Sequence, residues 1–129
     1  MKTKITLLLA LFFSLTFAFA QQKKQSKPAP KPTLQLIQFH SEHRCKTCLE
    51  IQKVSMEAIK GNKNISFKLI NVDDEKNEKI AEQFEATGTA LFLYNPKTKK
   101  KIDLTEDAFM LAFEKEKLIK KIKDELKKI

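Results

Sequence analysis

The stretch LQLIQFHSEHRCKTCLEIQKVSMEAIK, residues 34–60, joins a short apolar segment, a pair of cysteines and a periodic segment. Residues 34–39 are apolar and lie between a proline-rich stretch and polar residues, which predicts a central strand. Residues 46–60 repeat apolar side chains at the spacing of a helix face, and Gly61-Asn62 follows as a stop signal. The side chains on this predicted face are Cys48, Ile51, Val54, Ser55, Ala58 and Ile59. A strand-to-helix junction is therefore predicted at the cysteine pair.

The residues that follow alternate between strand and helix patterns. Apolar and polar side chains alternate over residues 65–72, which predicts a half-exposed strand. Thr87-Gly88-Thr89 and Asn95-Pro96-Lys97-Thr98 are typical turn sequences. The predicted elements are, in chain order, strand 34–39, helix 46–60, strand 65–72, helix 75–86, strand 90–94, strand 99–104 and a final helix that begins at Thr105.

The order of these elements, β-α-β-α-β-β-α, predicts an α/β fold. The first β-α-β unit implies a right-handed crossover between parallel strands. The second half adds an antiparallel hairpin, whose edge strand carries lysines as an edge strand needs, and a closing helix. The prediction is a four-stranded mixed sheet in the order 2-1-3-4, with three main helices distributed over both faces.

The final helix contains an irregularity. Thr105 is predicted to cap it, with Glu106 and Asp107 in its first turn. The large apolar residues Phe109, Met110 and Phe113 do not fit the apolar face. Either the helix breaks near residues 114–116, or these residues line a second surface. We expect them to pack in the core or at the helix break, with a partner surface as the alternative.

The first 33 residues have the composition of a leader and a tether. Lys2 and Lys4 precede a long apolar stretch, and Ala18-Phe19-Ala20 is a typical cleavage sequence, which predicts a signal peptide over residues 1–20. Residues 21–33 are rich in proline and lysine and are predicted to be a flexible linker. We expect the chain to be exported, and to be periplasmic or secreted after cleavage near Ala20.

The length of 129 residues favours one folded domain, residues 34–129, and the net charge of +9 is distributed unevenly. Residues 1–33 contain six lysines and no acid, whereas residues 34–129 contain 19 basic and 16 acidic side chains. Because acidic and basic side chains are interleaved in this domain, it lacks the basic patch of a nucleic-acid-binding protein. No nucleic-acid partner is therefore expected, nor a membrane-embedded mature chain.

The two cysteines, Cys45 and Cys48, form a CxxC pair. A helix N-terminus carries partial positive charge, and Arg44 and Lys46 flank the first cysteine with two more charges. All three favour the thiolate form of Cys45, which is the nucleophile in thiol–disulfide exchange. Cys48, one turn later, is within reach to resolve a mixed disulfide. The sequence thus predicts Cys45 and Cys48 as catalytic residues, and Arg44 and Lys46 as residues that tune the thiolate.

With these features, residues 34–129 resemble the thioredoxin-like superfamily. The resemblance rests on LQLIQFH before Arg44-Cys45-Lys46-Thr47-Cys48, on the strand end Ile70-Asn71-Val72-Asp73 and on the stretch 82–89. It implies a small exported thioredoxin family protein in which Cys45 attacks and Cys48 resolves. It also implies that protein thiols or disulfides are the partners, with a membrane electron donor as a further partner, and that no cofactor is needed.

Three features depart from the family pattern. The family usually places a cis-proline opposite the CxxC, and Thr89 and Ala90 stand at the matching substrate-facing turn. Arg44 stands where the family has a tryptophan, and Lys46-Thr47 replaces its Gly-Pro. Gln38 is the nearest match to the buried acid that handles the proton of the resolving cysteine.

Two alternative functions remain open at this point. His40, His43, Cys45 and Cys48 are four potential ligands for zinc or copper within nine residues. The chain would then be a metal-binding or metal-delivery module. Alternatively it is an interaction module in which the two cysteines form only a structural disulfide.

Overall fold

Four strands and four α-helices make up the part of the chain that the computed structural model describes, residues 31–129. The predicted signal peptide, 1–20, and most of the predicted linker lie outside the described residues. A 3₁₀ turn, Glu75–Asn77, precedes the second helix. In chain order the elements are β1 (Leu34–His40), α1 (Lys46–Ala58), β2 (Ile65–Asn71), α2 (Glu78–Phe84), β3 (Ala90–Tyr94), β4 (Lys101–Asp103), α3 (Thr105–Leu111) and α4 (Lys115–Leu126).

The four strands form one mixed sheet in the order β2-β1-β3-β4. β1 pairs in parallel with β2, so that Leu34 lies opposite Ile65, and antiparallel with β3, so that Gln35 lies opposite Tyr94. β3 and β4 form the antiparallel hairpin. The predicted α/β class, the strand order and the central position of the first strand are confirmed.

β1 divides the core because its side chains alternate between the two faces of the sheet. Leu36 is fully buried in the cluster that α1, α3 and α4 form on one face. Ile37 and Phe39 belong to the cluster on the α2 face, where the rings of Phe39 and Phe84 lie 5.3 Å apart. By the same alternation Gln38 faces α1, the helix that carries the two cysteines.

The predicted final helix is two helices, which corrects the prediction of three main helices. Residues 112–114 separate α3 from α4. Ala108 and Ala112 are buried, and a continuous helix would next turn Lys115 and Glu116 toward the core. With the break, Lys115 and Glu116 are exposed, and Leu118 and Ile122 of α4 are buried.

The start of this helical region also differs from the prediction. Thr105 is the first residue of α3 rather than its cap, and its hydroxyl accepts a hydrogen bond from the backbone N–H of Leu91 at 3.1 Å. The carboxylate of Asp103 accepts the N–H of Thr105 at 2.8 Å. Side-chain hydrogen bonds therefore join the start of α3 to β3 and to the end of β4.

The apolar residues that did not fit the predicted face are exposed. Phe109 is 43% exposed, Met110 72% and Phe113 63%, so the expectation that they pack in the core is wrong. They border a real helix break, but they turn outward from it. Within residues 31–129, no helix has the length and apolar character needed to cross a bilayer.

Candidate functional site

Cys45 is the N-cap of α1. Its backbone is extended, with φ −80° and ψ 164°, and its Sγ accepts a hydrogen bond from the backbone N–H of Cys48 at 3.5 Å. A side chain that accepts this N–H satisfies one of the free donors of the first helical turn. Cys45 is exposed and Cys48 is 1% exposed, and both are free thiols. The Cys45 sulfur is therefore the accessible one of the pair.

Gln38 of β1 donates hydrogen bonds to the buried Cys48. The Gln38 Nε2 donates to the carbonyl oxygen of Cys48 at 2.8 Å and lies 3.5 Å from its Sγ. The sequence identified Gln38 as the residue in the place of a buried acid, and the structure brings it into direct contact with Cys48. Since an amide cannot take up a proton as a carboxylate does, its action on Cys48 is limited to hydrogen bonding.

Arg44 contacts the buried sulfur. Its Nη2 lies 3.5 Å from the Sγ of Cys48, with a geometry that allows a hydrogen bond. The Nε of Arg44 is buried and has no hydrogen-bond partner. From the sequence we expected Arg44 to stabilise the thiolate of Cys45. In the structure, the Arg44 side-chain contact is instead with Cys48.

Lys46 is directed to the helix break between α3 and α4. Its Nζ lies 5.8 Å from the centroid of the Phe113 ring, within the range of a cation–π interaction. The sequence predicted Lys46 as a thiolate-tuning residue and gave no reason to place Phe113 near the cysteines. A large exposed ring thus lies beside the start of α1, brought there by the α3–α4 break.

The two histidines are not gathered around the cysteines. The Nδ1 of His40 is 2.8 Å from the carbonyl oxygen of Ser41, and His43 is exposed. Among residues 31–129 the structure assembles no group of three or more His, Cys, Asp or Glu side chains that could hold a metal ion. The alternative ligand set of His40, His43, Cys45 and Cys48 is therefore not brought together.

The loop before Cys45 is fastened to the end of β2. The backbone N–H of Glu42 donates to the Asp73 carboxylate at 2.6 Å, and Asn71 in turn accepts the N–H of Asp73 through its side chain at 3.0 Å. This contact holds the residues between β1 and α1 over the carboxyl ends of the two parallel strands. Glu42 acts through its backbone here.

The predicted substrate-facing turn, Thr89 and Ala90, leads into β3. Ala90 is paired with Phe39, which places this turn at the same end of the sheet as the loop to Cys45. The described residues contain no cis peptide bond. A cavity of about 380 Å³ opens at the turn, lined by residues 84–90, Phe92, Lys101, Asp103 and Thr105, and neither cysteine lines it.

No protein-family model matches this chain, and no curated protein matches it. One of the solved structures that match is described as "Structure of a malarial protein". It is 20% identical, with a TM-score of 0.44, over 64% of this chain and 96% of that one. A likeness of this degree carries no argument about the fold family or the function of this chain.

Proposed function

We propose that this chain is an exported thiol–disulfide oxidoreductase with a thioredoxin-like fold, or a relay in such a pathway. The observation that carries the proposal is the pair itself. An exposed Cys45 caps a helix, and a buried Cys48 follows one turn later, both as free thiols. This is the arrangement that exchange chemistry requires, because one sulfur must meet the substrate while the other is shielded from it.

The reaction uses the two sulfurs in sequence. The Cys45 thiolate attacks a substrate disulfide, so that one substrate sulfur leaves as a thiolate and a mixed disulfide forms. The Cys48 thiolate then attacks the Sγ of Cys45 and releases the second substrate thiolate. The substrate gains two electrons and the Cys45–Cys48 pair loses them. The reverse sequence oxidises a substrate dithiol by the same steps.

The architecture supports the family assignment within this proposal. The cysteines lie at the junction of the central strand and the first helix, in a sheet of order β2-β1-β3-β4 with helices on both faces. Helix N-termini favour an anionic sulfur at this position. Ala90, in place of the cis-proline, and Gln38, in place of the acid, distinguish this chain from the usual pattern.

Export and partners are part of the proposal through the sequence pattern of residues 1–20. An oxidising compartment allows a cysteine pair to persist as a disulfide and to be used for exchange. The proposed partners are protein thiols and disulfides, and a membrane electron donor is the further partner when the pair acts in the reducing direction.

A trapping experiment tests the function. Purified Cys48→Ser protein is incubated with a disulfide-containing protein such as insulin, and covalent adducts are separated without reducing agent. We expect an adduct through Cys45, since no resolving thiol remains to release it. Cys45→Ser, which retains the buried thiol, is the matched control and should form none.

Equal adducts with both variants, or none with either, would contradict the proposal. Metal content is measured on the same native sample. Thiols that become reactive only after addition of a chelator would instead support the metal-binding alternative.

A further inference from the structure

Two hydrogen-bond donors, from Gln38 and Arg44, lie within hydrogen-bond distance of the Cys48 sulfur. The carbonyl oxygen of Cys48 can only accept, so the Gln38 atom at 2.8 Å from it must be the amide nitrogen. The same nitrogen lies 3.5 Å from Sγ, and Arg44 Nη2 lies 3.5 Å from Sγ on another side. Neither group can accept a proton from a thiol. Two converging donors are placed to stabilise a negative charge on this sulfur.

The charge of Arg44 leads to the same conclusion. No carboxylate in residues 31–129 lies within salt-bridge distance of Arg44, and its Nε is buried without a partner. The polar side-chain contact of this guanidinium is the Cys48 sulfur. A partly buried cation is costly unless a negative group compensates it. The thiolate of Cys48 is the group placed to do so.

We infer that Arg44 and the Cys48 thiolate form an ion pair that exists only in the reduced protein, and that this pair makes the dithiol a net acceptor of electrons from reduced protein thiols. The inference rests on the proposed function and assigns its direction. Closing the Cys45–Cys48 disulfide removes the negative charge and leaves the guanidinium uncompensated. A dithiol whose reduced form is stabilised in this way is the more oxidising one.

The oxidising step balances as follows. A substrate thiolate attacks Sγ of Cys45, the Cys45–Cys48 bond breaks, and its electron pair leaves on Cys48, beside Arg44. A second substrate thiolate then attacks the substrate sulfur of the mixed disulfide and releases Cys45 as a thiolate. The substrate has lost two electrons and gained a disulfide. A second disulfide-bearing molecule, glutathione disulfide in the assay, reoxidises the pair.

The test is the equilibrium of the pair with glutathione, measured by trapping free thiols with a mass tag. Arg44→Gln should shift the equilibrium constant about tenfold toward the disulfide, which corresponds to a reduction potential ~30 mV more negative. Arg44→Lys keeps the charge and should recover more than half of that shift. Lys60→Gln removes a lysine just beyond the C-terminal end of α1 and should change the constant less than about twofold. Lys46, like Arg44, is next to Cys45 in the sequence. Lys46→Gln should change the equilibrium constant by less than Arg44→Gln does.

A second readout follows the direction of transfer. The pre-oxidised protein is mixed with a reduced dithiol peptide, and the rate of the single turnover is recorded. Arg44→Gln should slow this turnover, because Cys48 is then a poorer leaving group. Equal shifts for Arg44→Gln and Lys46→Gln, or an unchanged constant in Arg44→Gln, would overturn the inference.

The inference and the proposed function fail in different ways. If Cys48→Ser traps substrate while Arg44→Gln leaves the equilibrium unchanged, the oxidoreductase proposal stands and the ion pair does not. If Arg44→Gln shifts the equilibrium while no adduct forms, the ion pair stands and the proposed function does not. Comparable thermal midpoints of the variants show that neither result comes from unfolding.

Discussion

The side-chain Nε2 of Gln38 donates a hydrogen bond to the carbonyl oxygen of Cys48 at 2.8 Å. The bond joins the central strand to the first turn of α1, and both residues are buried. The Oε1 of the same amide is buried without a partner. Gln38 therefore fixes the position of Cys48 at a cost in stability, because one of its two polar side-chain atoms is buried without a hydrogen bond.

Replacing Gln38 with leucine should separate these two effects. Gln38→Leu removes a half-satisfied buried amide, and we expect the free energy of unfolding to rise by about 1 kcal/mol, as when an apolar group replaces such an amide. Urea denaturation of the reduced protein measures this change. Gln38→Glu is the contrasting variant and should be destabilised at pH 7, since a carboxylate cannot donate to the Cys48 carbonyl oxygen. A loss of stability in Gln38→Leu would show instead that the amide is net stabilising.

Leu118 of α4 is fully buried in the cluster that covers one face of the sheet. Leu118→Ala should lower the free energy of unfolding by about 2–5 kcal/mol, because the cavity it leaves cannot close completely. Met110→Ala, at a site that is 72% exposed on α3, should change it by less than about 0.5 kcal/mol. Similar losses in both variants, measured by urea denaturation, would contradict this assignment of the core.

Asp124 should titrate well below an ordinary aspartate. Hydrogen bonds from the Lys120 and Lys127 ammonium groups, at 2.5 and 3.0 Å, lower the pKa of Asp124 from 3.8 to about 2. Because the pKa is depressed on folding, the stabilisation by these pairs is fully present above pH 4 and is lost as the pH falls toward 2. The ¹³C shift of the carboxyl group, followed against pH, gives the midpoint.

The double variant Lys120→Gln/Lys127→Gln is the control for this titration. Its Asp124 midpoint should return toward 3.8, because both hydrogen-bond donors are then neutral. A midpoint near 3.8 in the native protein would show that the two lysines do not hold the carboxylate in solution.

Glu85 ends α2 in the left-handed conformation, with φ 53° and ψ 32°. Only glycine adopts this conformation without steric cost, so Glu85→Gly should raise the free energy of unfolding by about 1 kcal/mol. Glu82→Gly, within the same helix, should lower it by about 1 kcal/mol. Thermal or urea unfolding of the two variants gives opposite signs if the helix ends where the structure places it.

Local patterns were sufficient to predict the sheet and the dithiol. The apolar segment at 34–39 and the alternation at 65–72 correspond to β1 and β2, and the predicted strand order, 2-1-3-4, is the observed one. The position of Cys45 at a helix start could be read from the sequence because helix periodicity begins directly after it. These features depend on neighbours within a few residues along the chain.

The ends of elements were less predictable than their central residues, and two of them differ from the prediction because of individual hydrogen bonds. The predicted edge strand 99–104 is limited to Lys101–Asp103, because Lys99 adopts a left-handed conformation and its N–H bonds to the carbonyl oxygen of Asn95 at 2.8 Å. Helical spacing could not show that Thr105 bonds to β3 instead of capping its own helix. The Thr105 bond joins residues far apart in the chain, so the local sequence does not reveal it.

The sequence by itself determined the α/β class, the central strand and the position of Cys45 at a helix start, because each follows from the periodicity of short segments. Only the tertiary structure decided which groups meet the sulfurs. Arg44 is adjacent to Cys45 in the chain, yet its guanidinium hydrogen-bonds to Cys48, and Phe113 reaches Lys46 from a helix break more than sixty residues away. The packing around a long side chain determines which group it contacts, and that packing exists only once the helices have packed on the sheet.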